Sequence, residues 1–207
     1  MTKEAQLLET LNQRISYIVG ENTSHQLKND GIELDANAFA MAVADVAAGN
    51  APRLSEEDKK NAIAEIQKLI EEKQKAKHDA NTAEGTAYLD ANGKKDGVTT
   101  TDSGLQYKEL VAGNGEKPKA TDTVKVHYKG TLIDGTVFDS SYDRGEPAVF
   151  PVGGVIPGWT EALQLMKVGD KFELVIPSEL AYGANGSGPV IGPDATLVFD
   201  VELLGIA

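Results

Sequence analysis

The chain has no cysteine, one tryptophan and three histidines among its 207 residues. Without thiols there is no disulfide framework, no thiolate nucleophile and no cysteine-bound metal. His25, His78 and His127 lack the paired spacing of a histidine metal site, so neither a metal nor any other cofactor is expected. Basic charge is short, with 20 Lys and Arg against 32 Asp and Glu and a net charge of −12. That balance excludes a general nucleic-acid binder, because phosphate contacts need a basic surface. Long apolar runs are missing too: nothing approaches the ~18 residues of a membrane span, so no membrane partner is expected. Acids at Glu4 and Glu9 interrupt the start before a signal-peptide core could form. A cytoplasmic location is therefore expected, while the lack of cysteine leaves the periplasm open.

Proline is scarce in the first part. Only Pro52 precedes residue 92, and the other seven of the eight prolines follow it. Charge does not separate the parts, since residues 1–92 and 93–207 each hold 10 basic and 16 acidic residues, a balance of −6 apiece. Pattern does. Leu8, Leu11, Ile15 and Ile18 recur at spacings of three and four, an apolar helix stripe that Gly20 is expected to end or bend. A second helix is expected from the N-cap Asp35, with Phe39, Val43 and Val46 on one face and a stop at Gly49. A third opens at Ser55-Glu56-Glu57-Asp58, with acids over the positive end of the helix dipole, and carries Ala62, Ile63, Ile66, Leu69 and Ile70.

From Glu71 to Glu84 there is no large apolar residue, yet alanines and Lys/Glu pairs still favour helix over a disordered linker. A single helix over 55–92 would measure roughly 57 Å at ~1.5 Å per residue and hold the two parts apart as a solvated stalk. Units of this size bury only about 60% of their unfolded surface, so the stripes of the first part call for a second copy. The expected organisation is a helical dimerisation domain over 1–54, a stalk helix over 55–92 whose start packs in that domain, and a separate domain over 93–207. A homodimer through residues 1–70 follows.

In the last part the period changes from about 3.6 to 2. Val124, Val126 and Tyr128 alternate with Lys125, His127 and Lys129; Phe172, Leu174 and Ile176 with Lys171, Glu173 and Val175; and Leu197, Phe199, Val201 and Leu203 with Val198, Asp200, Glu202 and Leu204. These are half-buried strands of an antiparallel sheet. One helix interrupts them: Trp159, Ala162, Leu163 and Met166 follow the i, i+3, i+4, i+7 pattern behind Pro157, which suits a first helical turn. The fold class is α+β, with a curved antiparallel sheet around this short helix.

Familiar catalytic patterns fail on inspection. Asp90 to Lys94 has a lysine where a calcium loop needs an oxygen ligand, and the glycine-rich run Gly183 to Gly188 has no strand–glycine–helix context for phosphate. What remains is an aromatic set with one carboxylate: Tyr128, Phe138, Asp139, Phe150, Trp159, Tyr182 and Phe199. By periodicity alone these are ordinary core.

Their order says more. Val126-His127-Tyr128-Lys129-Gly130, Asp134 to Ser141 with Phe138-Asp139 inside it, Val155-Ile156-Pro157-Gly158-Trp159, Ala181-Tyr182-Gly183-Ala184 and Ala195 to Leu204 closely resemble, motif by motif, the FKBP-type peptidyl-prolyl cis-trans isomerases. The helical part resembles the dimeric Mip-like branch. The resemblance implies an FKBP-like domain that accelerates X-Pro rotation during protein folding in an aromatic pocket, without covalent chemistry. It implies Trp159 as the pocket floor and Tyr128, Phe138, Phe150, Val155, Ile156 and Phe199 as walls. Ile156 N–H and the Tyr182 hydroxyl would bind substrate carbonyls, Asp139 would lie near the twisting carbonyl with Arg144 fixing it, and Val190 and Ile191 would touch residues flanking the proline. The implied partners are proline-containing polypeptides, unfolded protein clients and a macrolide inhibitor. Ala148 stands where many members have an aromatic, and Gly192-Pro193 where a Pro-Pro pair is common; both bear on substrate preference and macrolide affinity. A binding chaperone or adaptor with little turnover is the alternative expectation.

Overall fold

A computed structural model describes residues 8–29 and 31–207. The chain's first seven residues, on which the expected location mainly rests, lie outside the described residues. Two compact units result, dividing between Lys73 and Gln74, inside a helix rather than at the expected boundary near residue 92.

The first unit is helical. Helix α1 runs over Leu11–Asn29 and passes through Gly20. A glycine in a helix interior costs only about 1 kcal/mol against alanine, too little to stop a helix with support on both sides. Helix α2, Ala36–Ala48, starts where Asp35 accepts hydrogen bonds from the backbone N–H of Asn37 and Ala38 at 2.8 and 3.0 Å. Helix α3 spans Glu56–Asn92, and the Ser55 hydroxyl caps it by accepting from the Asp58 N–H at 3.1 Å. Its last turns, residues 74–92, belong to the second unit. No described helix is long and apolar enough to cross a membrane.

Seven strands build the second unit: β1 Val98–Thr100, β2 Gln106–Val111, β3 Thr123–Leu132, β4 Val137–Ser140, β5 Ala148–Pro151, β6 Lys171–Ile176 and β7 Leu197–Ile206. They form one antiparallel sheet in the order β1-β2-β6-β7-β3-β4, with β5 also paired to β3. The short helix α4, Ser141–Arg144, follows β4, and α5, Pro157–Leu165, lies between β5 and β6. Alternation sets one face: Leu197, Phe199, Val201 and Leu203 of β7 are buried, as are Val124, Val126 and Tyr128 of β3. The α5 stripe Trp159, Ala162 and Leu163, with Met166 just beyond the helix, joins them in a single core. The stretch of α3 read as a solvated stalk is helical, but Asn92 is buried and donates to Gln106 Oε1 at 2.9 Å, while the Gln106 amide donates to Leu89 O. This end of α3 is thus part of the sheet domain. A polar helix face can be buried where its donors find partners, as the Asn92 and Gln106 amides do, a case that hydrophobic periodicity does not register.

Candidate functional site

A cavity of about 680 Å³ opens at one end of the core. Its floor is Trp159, which lies in the first turn of α5 behind Pro157-Gly158 and is 4% exposed. Three rings stand edge-on to the indole: Tyr128 at 5.2 Å and 89°, Phe199 at 5.3 Å and 80°, and Phe150 at 5.9 Å and 88°. Phe138 in turn meets Phe199 at 5.4 Å and 83°. Perpendicular contact sets the positive edge of one ring against the negative face of the next, so these pairs hold each other's orientation. Gly130 on β3 makes room for them, because a Cβ there would come within 2.5 Å of Phe138 and 2.7 Å of Phe199.

Eleven of the twelve residues expected at the site line this cavity: Tyr128, Phe138, Asp139, Phe150, Val155, Ile156, Trp159, Tyr182, Val190, Ile191 and Phe199. The twelfth, Arg144 on α4, stands behind the wall and reaches it through Asp139. Gly154, Ser187, Gly188 and Pro189 complete the lining without having been expected. The loop after Tyr182 reads in sequence as glycine-rich and mobile, and only its closure by a bridge between Ser187 and Ile191 turns it into a wall.

Polar groups are few and specifically held. Arg144 Nη1 and the Tyr128 hydroxyl both donate to the Asp139 carboxylate, and Arg144 Nη2 donates to the Tyr128 oxygen at 2.9 Å. The guanidinium lies over the Tyr128 ring, 5.5 Å from its centroid. Partial burial is the strongest single influence on the Asp139 carboxyl and pushes its pKa up. Hydrogen bonds from Tyr128 and Arg144, with the Arg144 charge, outweigh it and leave the group below the usual carboxylate value. Burial first, then donation to Asp139, raises the Tyr128 phenol. Asp139 is therefore an anion at neutral pH with both oxygens engaged. The Ile156 N–H has no hydrogen-bond partner among the described residues, since it caps α5 from outside the helix. Nor has the Tyr182 hydroxyl, on a side chain 40% exposed at the rim. Both remain available as donors. The set lacks a nucleophile–base pair. What it offers is an apolar cup with two free donors and one buttressed carboxylate.

The sequence profile of FKBP-type peptidyl-prolyl cis-trans isomerases matches residues 114–204, and that of the domain amino terminal to them matches residues 12–108. The chain is 49% identical to the FKBP-type 22 kDa peptidyl-prolyl cis-trans isomerase of Escherichia coli (strain K12), over 96% of this chain and 97% of that one. It is 44% identical to the outer membrane protein MIP of Legionella longbeachae, over 98% and 89% of the two chains. The crystal structure of FkpA from Escherichia coli superposes with a TM-score of 0.72 at 41% identity, covering 97% of this chain and 98% of that one. An edge-on aromatic cup whose polar groups form no nucleophile–base pair suits a reaction in which no covalent bond is made, and the similarity over nearly the whole chain agrees with it. The chain belongs to the FKBP-type peptidyl-prolyl cis-trans isomerase family.

Proposed function

We propose that the aromatic cup holds the proline ring of a polypeptide and speeds rotation of the X-Pro bond. The barrier to that rotation is ~18–20 kcal/mol, and the uncatalysed event takes ~10–100 s. Twisting the amide destroys its resonance and with it part of the carbonyl polarity, so an apolar cleft favours the twisted state over the planar one. An acceleration of ~10⁶ requires roughly 8 kcal/mol of such preference. Trp159 is the floor, and Tyr128, Phe138, Phe150 and Phe199 exclude water. Ile156 N–H and the Tyr182 hydroxyl fix carbonyls of the flanking chain, and the Asp139 anion, held by Tyr128 and Arg144, faces the rotating group. Val155, Val190 and Ile191 meet the neighbouring residues. The observation that carries this reading is the three rings perpendicular to Trp159 around an open cavity. Cis–trans relaxation of a proline tetrapeptide tests it: wild-type protein should accelerate it, and activity no better than that of Asp139→Ala or Phe199→Ala counts against it. Turnover of the tetrapeptide also separates catalysis from a holding module, which would leave the relaxation rate unchanged.

We infer further that two copies pair through residues 1–70. What supports this is apolar surface on the helices of a single chain: no residue of α2 is buried, Leu11 is 72% and Val46 82% exposed, and Ile15, Ile18, Phe39, Ile63 and Leu69 are exposed as well. Patches of this kind in a soluble protein mark an interface. The pair would give a non-native client two prolyl sites at once, raising its effective concentration at the second. Sedimentation at micromolar concentration tests the pairing, and a stable 22.0 kDa species would sink it. A macrolide as a second occupant of the cup belongs to the same proposal. Compartment is part of it too: a cytoplasmic location stands against one relative named an outer membrane protein, and cell fractionation decides between them.

A further inference from the structure

The loop that supplies Val190 and Ile191 to the cup continues to Asp194, which alone among the described non-glycine residues has a positive φ, of 51°. Such a conformation is uncommon for a side-chain-bearing residue and persists where neighbours hold it. Two contacts do so. The Asp194 N–H donates to Gly183 O at 2.9 Å, next to Tyr182, and its carboxylate accepts from His78 Nδ1 on α3. One turn along the same helix, Asn81 Nδ2 donates to Pro193 O at 2.7 Å. A further turn on, Gly85 is buried where any side chain would collide with the Thr196 hydroxyl. Spacings of three and four put His78, Asn81 and Gly85 on one helix face. At the loop's own Gly192, a Cβ would come within 2.6 Å of the Lys77 stem and 3.1 Å of the Asn81 amide nitrogen that bonds Pro193. Glycine in place of the family's common first proline is thus matched to the helix face.

Val190 also borders a second hollow of about 210 Å³, lined on its far side by Lys77, Asn81 and Glu84. The wall that meets the substrate's flanking residue is therefore thin and gets its position from behind.

We propose that His78 and Asn81 are positioning residues of the isomerase: by fixing Pro193 and Asp194 from α3, they set where Val190 and Ile191 stand, and so which residue before proline is preferred. This rests on the reading of the cup as the isomerase site. The test compares kcat/KM for tetrapeptides with Leu or Ala before proline in the full-length protein. His78→Ala and Asn81→Ala should change the Leu-to-Ala ratio about threefold, a common size for one coupling between neighbouring residues. His78→Asn, which keeps a donor near the Nδ1 position, should restore the ratio. In Asp194→Gly, which takes the positive φ freely and removes the acceptor, adding His78→Ala should change nothing more. Exchange of the Ile191 N–H, bonded to Ser187 O at 3.2 Å, should quicken in His78→Ala. An unchanged ratio and exchange rate in both alanine variants, with wild-type turnover intact, would overturn the positioning role alone. A wild-type protein without turnover on either peptide would overturn the isomerase reading of the cup, and the positioning role with it.

Discussion

Tyr128→Phe isolates one atom of the site. The ring stays, and with it the perpendicular contact to Trp159 at 5.2 Å, while the hydroxyl that joins Asp139 to Arg144 is lost. A hydrogen bond to a charged group contributes about 1.5–3 kcal/mol. Here the Asp139 side chain is 42% exposed and keeps its Arg144 partner, so water and the guanidinium compensate in part and about 1 kcal/mol is the reasoned loss. In thermal melts this is a fall of about 3–5 °C for a unit of this size. The effect on pH is more specific. Asp139 titrates below the usual value when folded, so its stabilisation is complete above about pH 4, the unfolded value, and is lost as pH falls through the folded one. Removing the Tyr128 donor raises the folded-state value. The acid limb of kcat/KM therefore moves to higher pH in the variant, with activity at neutral pH reduced about three- to tenfold by the looser carboxylate. A tetrapeptide assay across pH 3–7 measures both. An acid limb and neutral rate that coincide with wild type would refute the account of Asp139 as a carboxylate held by Tyr128.

Gly130→Ala should lose about 1–3 kcal/mol by forcing Phe138 and Phe199 apart, seen as a lower Tm together with lower activity. Gly20→Ala should do the reverse, gaining about 0.5–1 kcal/mol in the helical unit, because a Cβ there meets nothing within 4 Å and α1 continues through it; far-ultraviolet melting reads it. Leu203→Ala, at a fully buried position, should cost about 2–5 kcal/mol in chemical denaturation. Removing residues 1–70 should spare turnover of a tetrapeptide and weaken catalysed refolding of a proline-limited protein, and equal loss on both would contradict the role given to the helical unit. Binding of a macrolide should change the fluorescence of Trp159, the chain's one tryptophan, in a titration.

The sheet's centre was legible because β3, β6 and β7 are long enough to show a period of two with one face buried. Strands β1, β4 and β5 have three or four residues each, too few for alternation to register. The cup was legible through motif order, since Tyr128, Trp159 and Phe199 lie on β3, α5 and β7, elements whose patterns were clear. Ser187, Gly188 and Pro189 escaped because serine, glycine and proline in a loop carry no periodic apolar signal. They line the cavity only once their loop is folded back by the bridge between Ser187 and Ile191. The burial of one face of α3 escaped for the opposite reason. Asn81, Gly85 and Asn92 look solvent-facing in sequence, yet Asn81 and Asn92 each bond a partner more than ten residues away and Gly85 lies where a Cβ would meet Thr196.

The edge-on arrangement around Trp159 has a thermodynamic consequence for an arriving chain. Three rings stand perpendicular to the indole within 6 Å, so the floor cannot swing into the cavity without breaking several ring contacts together. The cup is open before it is filled. Binding then requires little reorganisation of the protein, and calorimetry should record mainly the transfer of the prolyl ring out of water: a negative heat-capacity change, with the ordering entropy falling on the guest rather than the host.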